Sequence, residues 1–212
     1  MTLLAATDAH VLEIAAAALQ RGEVVALPTE TVYGLVCMPG KASLERLLEV
    51  KRRSPDKGLQ LLVDSLDQAA QVVLLSEAAE LLARTFWPGG LTIVAQRHPQ
   101  SDLPLVLGGG RPTLGVRLPD HPLPRALARR LGPLAASSAN ISGFPPATDA
   151  AAVVAALGES IGLVVDGGAV RGGVASTVVD CSSPDGRPEV LREGAIAATT
   201  IFAALGQDYT SG

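Results

Sequence analysis

The chain has 212 residues, 48% of them hydrophobic and only 3% aromatic, with a formal net charge of −4 and a pI near 5.4. Such a composition is globular rather than disordered, and it suits one domain whose core is filled mainly by Ala, Val and Leu. The acidic balance excludes a broadly basic nucleic-acid surface, though not a local basic patch. Two cysteines, Cys37 and Cys181, are too few for a disulfide framework or a zinc site and read as reduced thiols.

The N-terminus lacks a basic leader region, and Asp8, His10 and Glu13 interrupt its apolar stretch. No run approaches the roughly 20 apolar residues of a spanning helix, so the expectation is a soluble cytoplasmic protein without a membrane partner. A first helix is predicted from Asp8, as cap, to Gln20. Val24–Leu27 reads as a buried strand, Leu35–Met38 as a strand or buried turn, Ser43–Arg52 as a helix and Leu59–Val63 as a strand. Helical patterns near Asp67–Val73 and Ser76–Phe86 precede "WPGG" and the strand Leu91–Ala95. Thr113–Leu118 is a strand, Pro122–Leu131 a helix with Arg125, Arg129 and Arg130 on its polar side, and Leu134–Ser137 a strand. Asp149–Leu157 is a helix and Leu163–Val165 a strand. Val178–Asp180 and Val190–Arg192 read as paired strands, Ala195–Leu205 as a last helix. Interspersed helices and strands without a long linker predict one α/β (α+β) domain over 1–212, a mixed sheet covered by helices. Its core covers about 8–205, and the tail 206–212 is expected to be flexible.

Four polar clusters fall at element ends, where α/β proteins place ligands. "LPTETVYG" (27–34) ends a buried strand in two hydroxyls, a carboxylate and a phenol. It reads as an ordinary strand-to-loop turn or as a pocket for a ligand with hydroxyl and amine groups. "KRRSPDKG" (51–58) holds two of the three lysines, either as a solvated helix end or as an anion site. "SSANISG" (137–143) is routine turn chemistry or a set of hydroxyls and backbone N–H groups for phosphate oxygens. "GGVASTVVD" and "LREG" put Ser176 and Thr177 before one strand and Arg192 at the end of the next. His10, His98 and His121 lie outside these clusters. No phosphate-binding G-x-x-x-x-G-K-[ST] loop, no G-x-S-x-G elbow and no metal-ligand spacing is present. An enzyme built from these residues works by positioning and charge stabilisation.

Taken in order, "LPTETVYGL", "KRR", "WPGGLTIV", "VRLPDHP", "SSANISG", "STVVD" and "LREGAI" resemble the YrdC/Sua5 family, the L-threonylcarbamoyladenylate synthases, in its short single-domain form. The family's K-x-R and S-x-N signature falls on Lys51 and Arg53, then Ser138 and Asn140. The resemblance implies a YrdC-like twisted mixed sheet with a concave, positively charged site. It implies a nucleotidyltransferase that turns L-threonine, bicarbonate or CO2, and ATP into threonylcarbamoyl-AMP and pyrophosphate. That product serves the threonylcarbamoyladenosine modification at position 37 of tRNAs, with the tRNA threonylcarbamoyl-transferase machinery downstream. Two turn residues depart from the common pattern: Gly58 and Gly90 stand where many members have proline.

On that reading Lys51 and Arg53 are the catalytic candidates, because anionic carbamate approaching anionic triphosphate needs cations. Mg2+ assists from the ATP phosphates, with no metal ligand assigned to the protein. Lys51, Arg53, Ser138, Asn140, Ser176 and Arg192 are the ATP-binding candidates. Thr29, Thr31 and Tyr33 form the expected threonine pocket; Arg117 is counted with them and is also a candidate for the phosphate region. Room for one methyl gives about 10–200-fold discrimination between threonine and serine. Glu30 either orients the substrate amine or pairs with an Arg. The alternatives are a non-catalytic module binding double-stranded RNA or the ribosome, with weak RNA contact through a basic patch, and a carbamoyl-adenylate domain of the kind found inside much longer carbamoyltransferases.

Overall fold

The computed structural model describes residues 1–183 and 185–206. The expected flexible tail, apart from Gly206, lies outside them. Strand β1 (Thr2–Ala5) leads into helix α1 (Val11–Gln20), strands β2 (Val25–Leu27) and β3 (Gly34–Cys37), and helix α2 (Lys41–Lys51). Strand β4 (Gln60–Leu62), helix α3 (Leu66–Ala70), strand β5 (Val73–Leu74) and helix α4 (Glu77–Phe86) follow. Strand β6 (Leu91–Arg97), a 3-10 turn at Leu105–Gly108, strand β7 (Thr113–Arg117), helix α5 (Pro122–Leu131) and strand β8 (Leu134–Ser138) form the middle of the chain. Helix α6 (Ala150–Leu157), strands β9 (Leu163–Asp166), β10 (Thr177–Asp180) and β11 (Glu189–Arg192), and helix α7 (Ala198–Ala204) complete it.

The strands join one mixed sheet in the order β1-β9-β2-β3-β8-β4-β7-β6-β10-β11, with β5 paired to β6. Four pairs along this order are parallel (β1–β9, β9–β2, β4–β7, β6–β10) and the others antiparallel. The side-chain period of two then divides each strand between the faces. On one face Leu35, Leu61, Ile93, Val116, Ala135 and Val179 pack beneath α2, α4, α6 and α7. On the other, Leu27, Val36, Leu62, Leu134 and Val165 pack beneath Leu19 of α1 and Leu127 of α5. Those two helices cover only part of their face. Over β4, β7, β6 and β10 that face carries Gln60, Thr113, Gly115, Arg117, Thr92, Val94 and Val178 instead, and it is open.

Elements form where the apolar pattern places them, and the differences are at their ends. Helix α1 begins at Val11, not Asp8: the Asp8 carboxylate accepts the His10 N–H at 2.7 Å, closing a turn before the helix. Helix α6 starts one residue after the expected Asp149, which is instead its cap, accepting from Ala152 N at 2.7 Å. Strand β1 is an exposed edge of four residues, too short to carry a period. Helix α7 starts at Ala198 because Glu193 accepts the Ala198 N–H at 2.9 Å, while Ala195 N reaches Ala175 O at 2.9 Å. Among the described residues no helix is long and apolar enough to cross a membrane.

One helix end positions the site. Arg52 N bonds Glu49 O and Arg53 N bonds Leu48 O, both at 2.9 Å, and Arg52 has φ +50°. This is a Schellman motif in which Arg occupies the left-handed position usually held by Gly. The K-x-R spacing is therefore cap, left-handed residue and return residue, which throws Lys51 and Arg53 off the helical track. Arg52→Gly removes the left-handed strain and should raise stability by about 0.5–1 kcal/mol, or about 2 °C in Tm; a lower Tm in thermal unfolding would contradict this account of the turn.

Candidate functional site

The open half-face is the floor of a cleft of about 340 Å³. Ala136 and Ser138 of β8, Gln60 of β4, Thr113, Gly115 and Arg117 of β7, Thr92 and Val94 of β6, and Val178 of β10 all line it. The register aligns Ala136, Gln60, Gly115 and Val94 in one row across four strands. Gly115 is the low point of that row: a Cβ there would meet Thr92 Cγ2 at 3.3 Å. The walls come from loops, with Arg53, Lys57 and Gly58 after α2, Leu107, Gly108 and Arg111 before β7, and Ala175, Ser176 and Arg192 around β10 and β11. Five lining residues are cations (Arg53, Lys57, Arg111, Arg117 and Arg192), and among the described residues no Asp or Glu lines it.

The two signature motifs meet through Lys51. Its side chain is 1% exposed, and its Nζ donates to Ser138 O, to Asn140 O at 2.9 Å and to Asn140 Oδ1 at 3.1 Å. No carboxylate shares this arrangement. Burial, and after it the charge of Arg53, pushes the Lys51 pKa down to about 7. Asn140 is also fully engaged: its Oδ1 accepts from Ser138 Oγ at 2.6 Å, and its Nδ2 donates to Ile141 O at 2.9 Å and Phe144 O at 2.6 Å. Lys51 and Asn140 thus build the turn from within, while Ser138 and Arg53 line the cleft. Arg53 Nε donates to Lys57 O at 2.7 Å and its Nη2 to Gly58 O at 2.8 Å, which shapes the loop after the helix.

The loop after β2 is a closed network. Thr29 Oγ1 donates to Val32 O at 2.6 Å and accepts from the N–H groups of Thr31 and Val32 at 3.2 and 3.3 Å. Tyr33 is fully buried, its hydroxyl donating to Gly168 O at 2.8 Å and accepting from Gly167 N at 3.0 Å. Arg117, 3% exposed, donates from Nη2 to Glu30 Oε1 at 2.7 Å and Thr31 Oγ1 at 2.8 Å, and from Nε to Gly89 O at 3.0 Å. Glu30 is therefore an ion-pair partner of Arg117; its Oε2 is buried without a hydrogen-bond partner. Of the residues expected to hold threonine, Arg117 lines the cleft, while Thr29, Thr31 and Tyr33 lie in the layer behind Val32.

The far wall is tied in the same manner. Thr92 Oγ1 donates to Gln60 Oε1 at 2.7 Å and lies 2.8 Å from Ser176 Oγ. Arg192 Nη2 donates to Ser176 O at 2.6 Å. Burial and the neighbouring Arg117 hold the Arg192 guanidinium below its usual pKa, and burial and Arg192 do the same to Arg53. The cations thus form a mutually repelling chain from Lys51 through Arg53 and Arg192 to Arg117, which an anion in the cleft would relieve.

The structure brings Arg53, Ser138, Ser176, Arg192 and Arg117 onto one cleft, and sets Lys51, Asn140, Thr29, Thr31 and Tyr33 just behind its walls. Gln60, Thr92 and Arg111 were missed as site residues. The period-two alternation of Thr113, Gly115 and Arg117 with Leu114 and Val116 was the signal for this face. His121, outside the expected clusters, caps α5 through Nδ1 and lies near Glu30; burial lowers its pKa against the opposing charges of Glu30 and Asp120. The two unusual glycines have steric causes. A Cβ at Gly58 would meet Leu107 O at 3.0 Å, and one at Gly90 would meet Ala195 Cβ at 2.8 Å.

A sequence model of the Sua5/YciO/YrdC family, described as "Telomere recombination", matches residues 17–194. The threonylcarbamoyl-AMP synthase of Bacillus subtilis (strain 168) is 40% identical over 195 residues, covering 91% of this chain and 56% of that protein. A putative threonylcarbamoyl-AMP synthase of Mycobacterium tuberculosis (strain ATCC 25618 / H37Rv) is 36% identical over 199 residues, covering 93% of this chain and 90% of the relative. The crystal structure of P. abyssi Sua5 complexed with L-threonine superposes with a TM-score of 0.90 at 35% identity, covering 98% of this chain and 62% of that one. This chain thus spans little more than half the length of the B. subtilis relative. By the extent of the family match and the shared fold, the chain belongs to the Sua5/YciO/YrdC family.

Proposed function

We propose that this chain is a nucleotidyltransferase that forms threonylcarbamoyl-AMP and pyrophosphate from L-threonine, bicarbonate or CO2, and ATP. The observation that carries the reading is the cleft itself: five cations and no carboxylate line it among the described residues, with both signature motifs at one wall. The names of the B. subtilis and M. tuberculosis relatives and the threonine complex of the P. abyssi protein support it. They do not favour the alternative of a non-catalytic RNA-binding module. On this reading the protein works in the cytoplasm and hands its product to a tRNA threonylcarbamoyl-transferase.

Threonine's ammonium first gives up a proton to solvent. The free amine then bonds to the carbon of CO2, its nitrogen releasing a second proton to solvent, or to the carbon of bicarbonate with loss of water, to give a carbamate. A carbamate oxygen next bonds to the α-phosphorus while the bond to the α,β-bridging oxygen breaks, and pyrophosphate leaves with that electron pair. Two anions must approach, and Arg53 and Arg192 offset their repulsion from opposite walls. Ser138 and Ser176 offer hydroxyls to the nucleotide's phosphates. Arg117 pairs with the threonine carboxylate, backed by Glu30 and Thr31, while Thr29 and Tyr33 fix the wall. Lys51 and Asn140 act through the turn that they hold and are positioning residues on this account. The cleft's donor set of hydroxyls, amides and cations does not fit a resident magnesium ion, and no cluster of three or more His, Cys, Asp or Glu suited to a metal occurs among the described residues. Mg2+ would arrive on the phosphates, and no step above is routed through it.

Pyrophosphate release should require L-threonine, bicarbonate and ATP together, each omitted in turn; release that ignores threonine would sink the reading. In the same assay Arg53→Ala should lower the rate by about a hundredfold or more, and Lys51→Ala should do so with the fold retained by circular dichroism. A near-normal rate in either variant would remove that residue from the mechanism. A bound polyanion favours the charged Lys51 ammonium, so binding in the range above its free pKa of about 7 takes up a proton. ATP affinity, measured without threonine, should be level below about pH 7 and weaken as pH rises beyond it, with a smaller dependence in Lys51→Met. Equal pH dependence in both proteins would exclude Lys51 as its source.

A further inference from the structure

Lys57 and Arg111 line the cleft with no task so far. Arg53, Arg117 and Arg192 are braced by hydrogen bonds to the protein. The Lys57 and Arg111 side chains are exposed and have no hydrogen bond or ion pair among the described residues. Their loops are nevertheless fixed against one another. Leu59 N donates to Leu107 O at 2.7 Å. Gly109, at φ +67°, sits so close that a Cβ there would lie 2.3 Å from Asp56 O and 2.8 Å from Gly58 N. The backbone at Lys57 is held in turn by Arg53, through the bond to Lys57 O. Both cations also act on the exposed Asp56, whose carboxyl is held below its usual range first by the Ser54 hydroxyl and, more weakly, by Lys57 and Arg111.

We propose that Lys57 and Arg111 form an outer anion subsite that holds the β- and γ-phosphates of the nucleotide, the part that leaves as pyrophosphate. The proposal rests on the reading of the cleft as an ATP site. The inner groups (Arg53, Arg192, Ser138 and Ser176) are preorganised by their own hydrogen bonds and suit the phosphorus that reacts. The rim cations break no existing contact to meet a ligand. They act on charge that the substrate carries and the adenylate product has lost, so they separate ATP from AMP-like product. A compact ammonium and a forked guanidinium on two different loops match a mobile, multiply charged phosphate tail better than they match one fixed oxyanion.

The test is a set of dissociation constants for ATP, AMP and inorganic pyrophosphate, by calorimetry at fixed Mg2+ and ionic strength. The proteins compared are the wild type and the double variant Lys57→Ala/Arg111→Ala. Both positions are exposed, so the variant should fold. It should lose about tenfold in affinity for ATP and for pyrophosphate, with AMP unchanged. Its KM for ATP should rise in proportion while kcat changes little. Equal losses for ATP and AMP, or none for ATP, would overturn the proposal. So would a selective loss of tRNA affinity with ATP binding intact, which would assign the rim to RNA. A wild type that binds ATP no better than AMP instead defeats the reading of the cleft, and the outer subsite falls with it.

Discussion

A single buried ammonium joins the two motifs on which this structure depends. Lys51, at the cap of α2, donates to three oxygens of the turn after β8 and has no carboxylate to neutralise it. An unpaired buried cation is costly, and its lowered pKa reflects that cost. What compensates is geometry. The ammonium satisfies two backbone carbonyls and the Asn140 amide oxygen, and so sets the turn that carries Ser138. The same helix end, through the left-handed Arg52, sends Arg53 into the cleft. Helix cap, turn and cleft wall are one construction.

The sheet explains why a cleft exists at all. Helices α1 and α5 cover one part of a face that continues uncovered over β4, β7, β6 and β10. An uncovered sheet face must be polar, and this one is lined by Gln60, Thr92, Thr113 and Arg117 around the notch of Gly115. Its opposite face stays apolar beneath the remaining helices. The loops after α2 and before β7 and β10 rise as walls around the floor, and cations concentrate there. The whole chain is acidic, yet among the described residues the cleft carries only positive charge on its Asp, Glu, Lys and Arg positions. Net charge left such a local basic patch open, because a local field rather than the total charge decides what enters a cleft.

Much of this was legible in the sequence, for physical reasons that differ from place to place. Buried strands such as β2, β4 and β8 announced themselves by apolar runs, and the helices expected from Pro122 and Asp149 begin there to within a residue, with Pro122 in the first turn and Asp149 as the cap. Strands β1 and β5, of four and two residues, are too short for any period to register. Asp8 misled as a cap because its carboxylate closes a turn two residues on. The motif residues were found through the family resemblance, but a motif does not say which side chain faces the cleft. Lys51 and Asn140, read as ligand-binding candidates, are tied to each other and to the turn by hydrogen bonds that no sequence spacing displays. Tyr33 looked like a pocket wall and spends its hydroxyl on Gly167 and Gly168, 134 and 135 positions away. Arg111 was hidden in a glycine-rich stretch whose purpose, close packing against residues 56–58, appears only when the two loops meet.

On the proposed function, the open half-face of the sheet is the nucleotide site. A crystal structure with L-threonine and a non-hydrolysable ATP analogue tests it most directly. The α-phosphate should lie between Arg53, Ser138 and Arg192, the amino acid at Arg117, and the rest of the nucleotide over the floor around Gly115. A nucleotide bound outside this cleft, or one whose phosphates point away from Arg53 and Arg192, would contradict it.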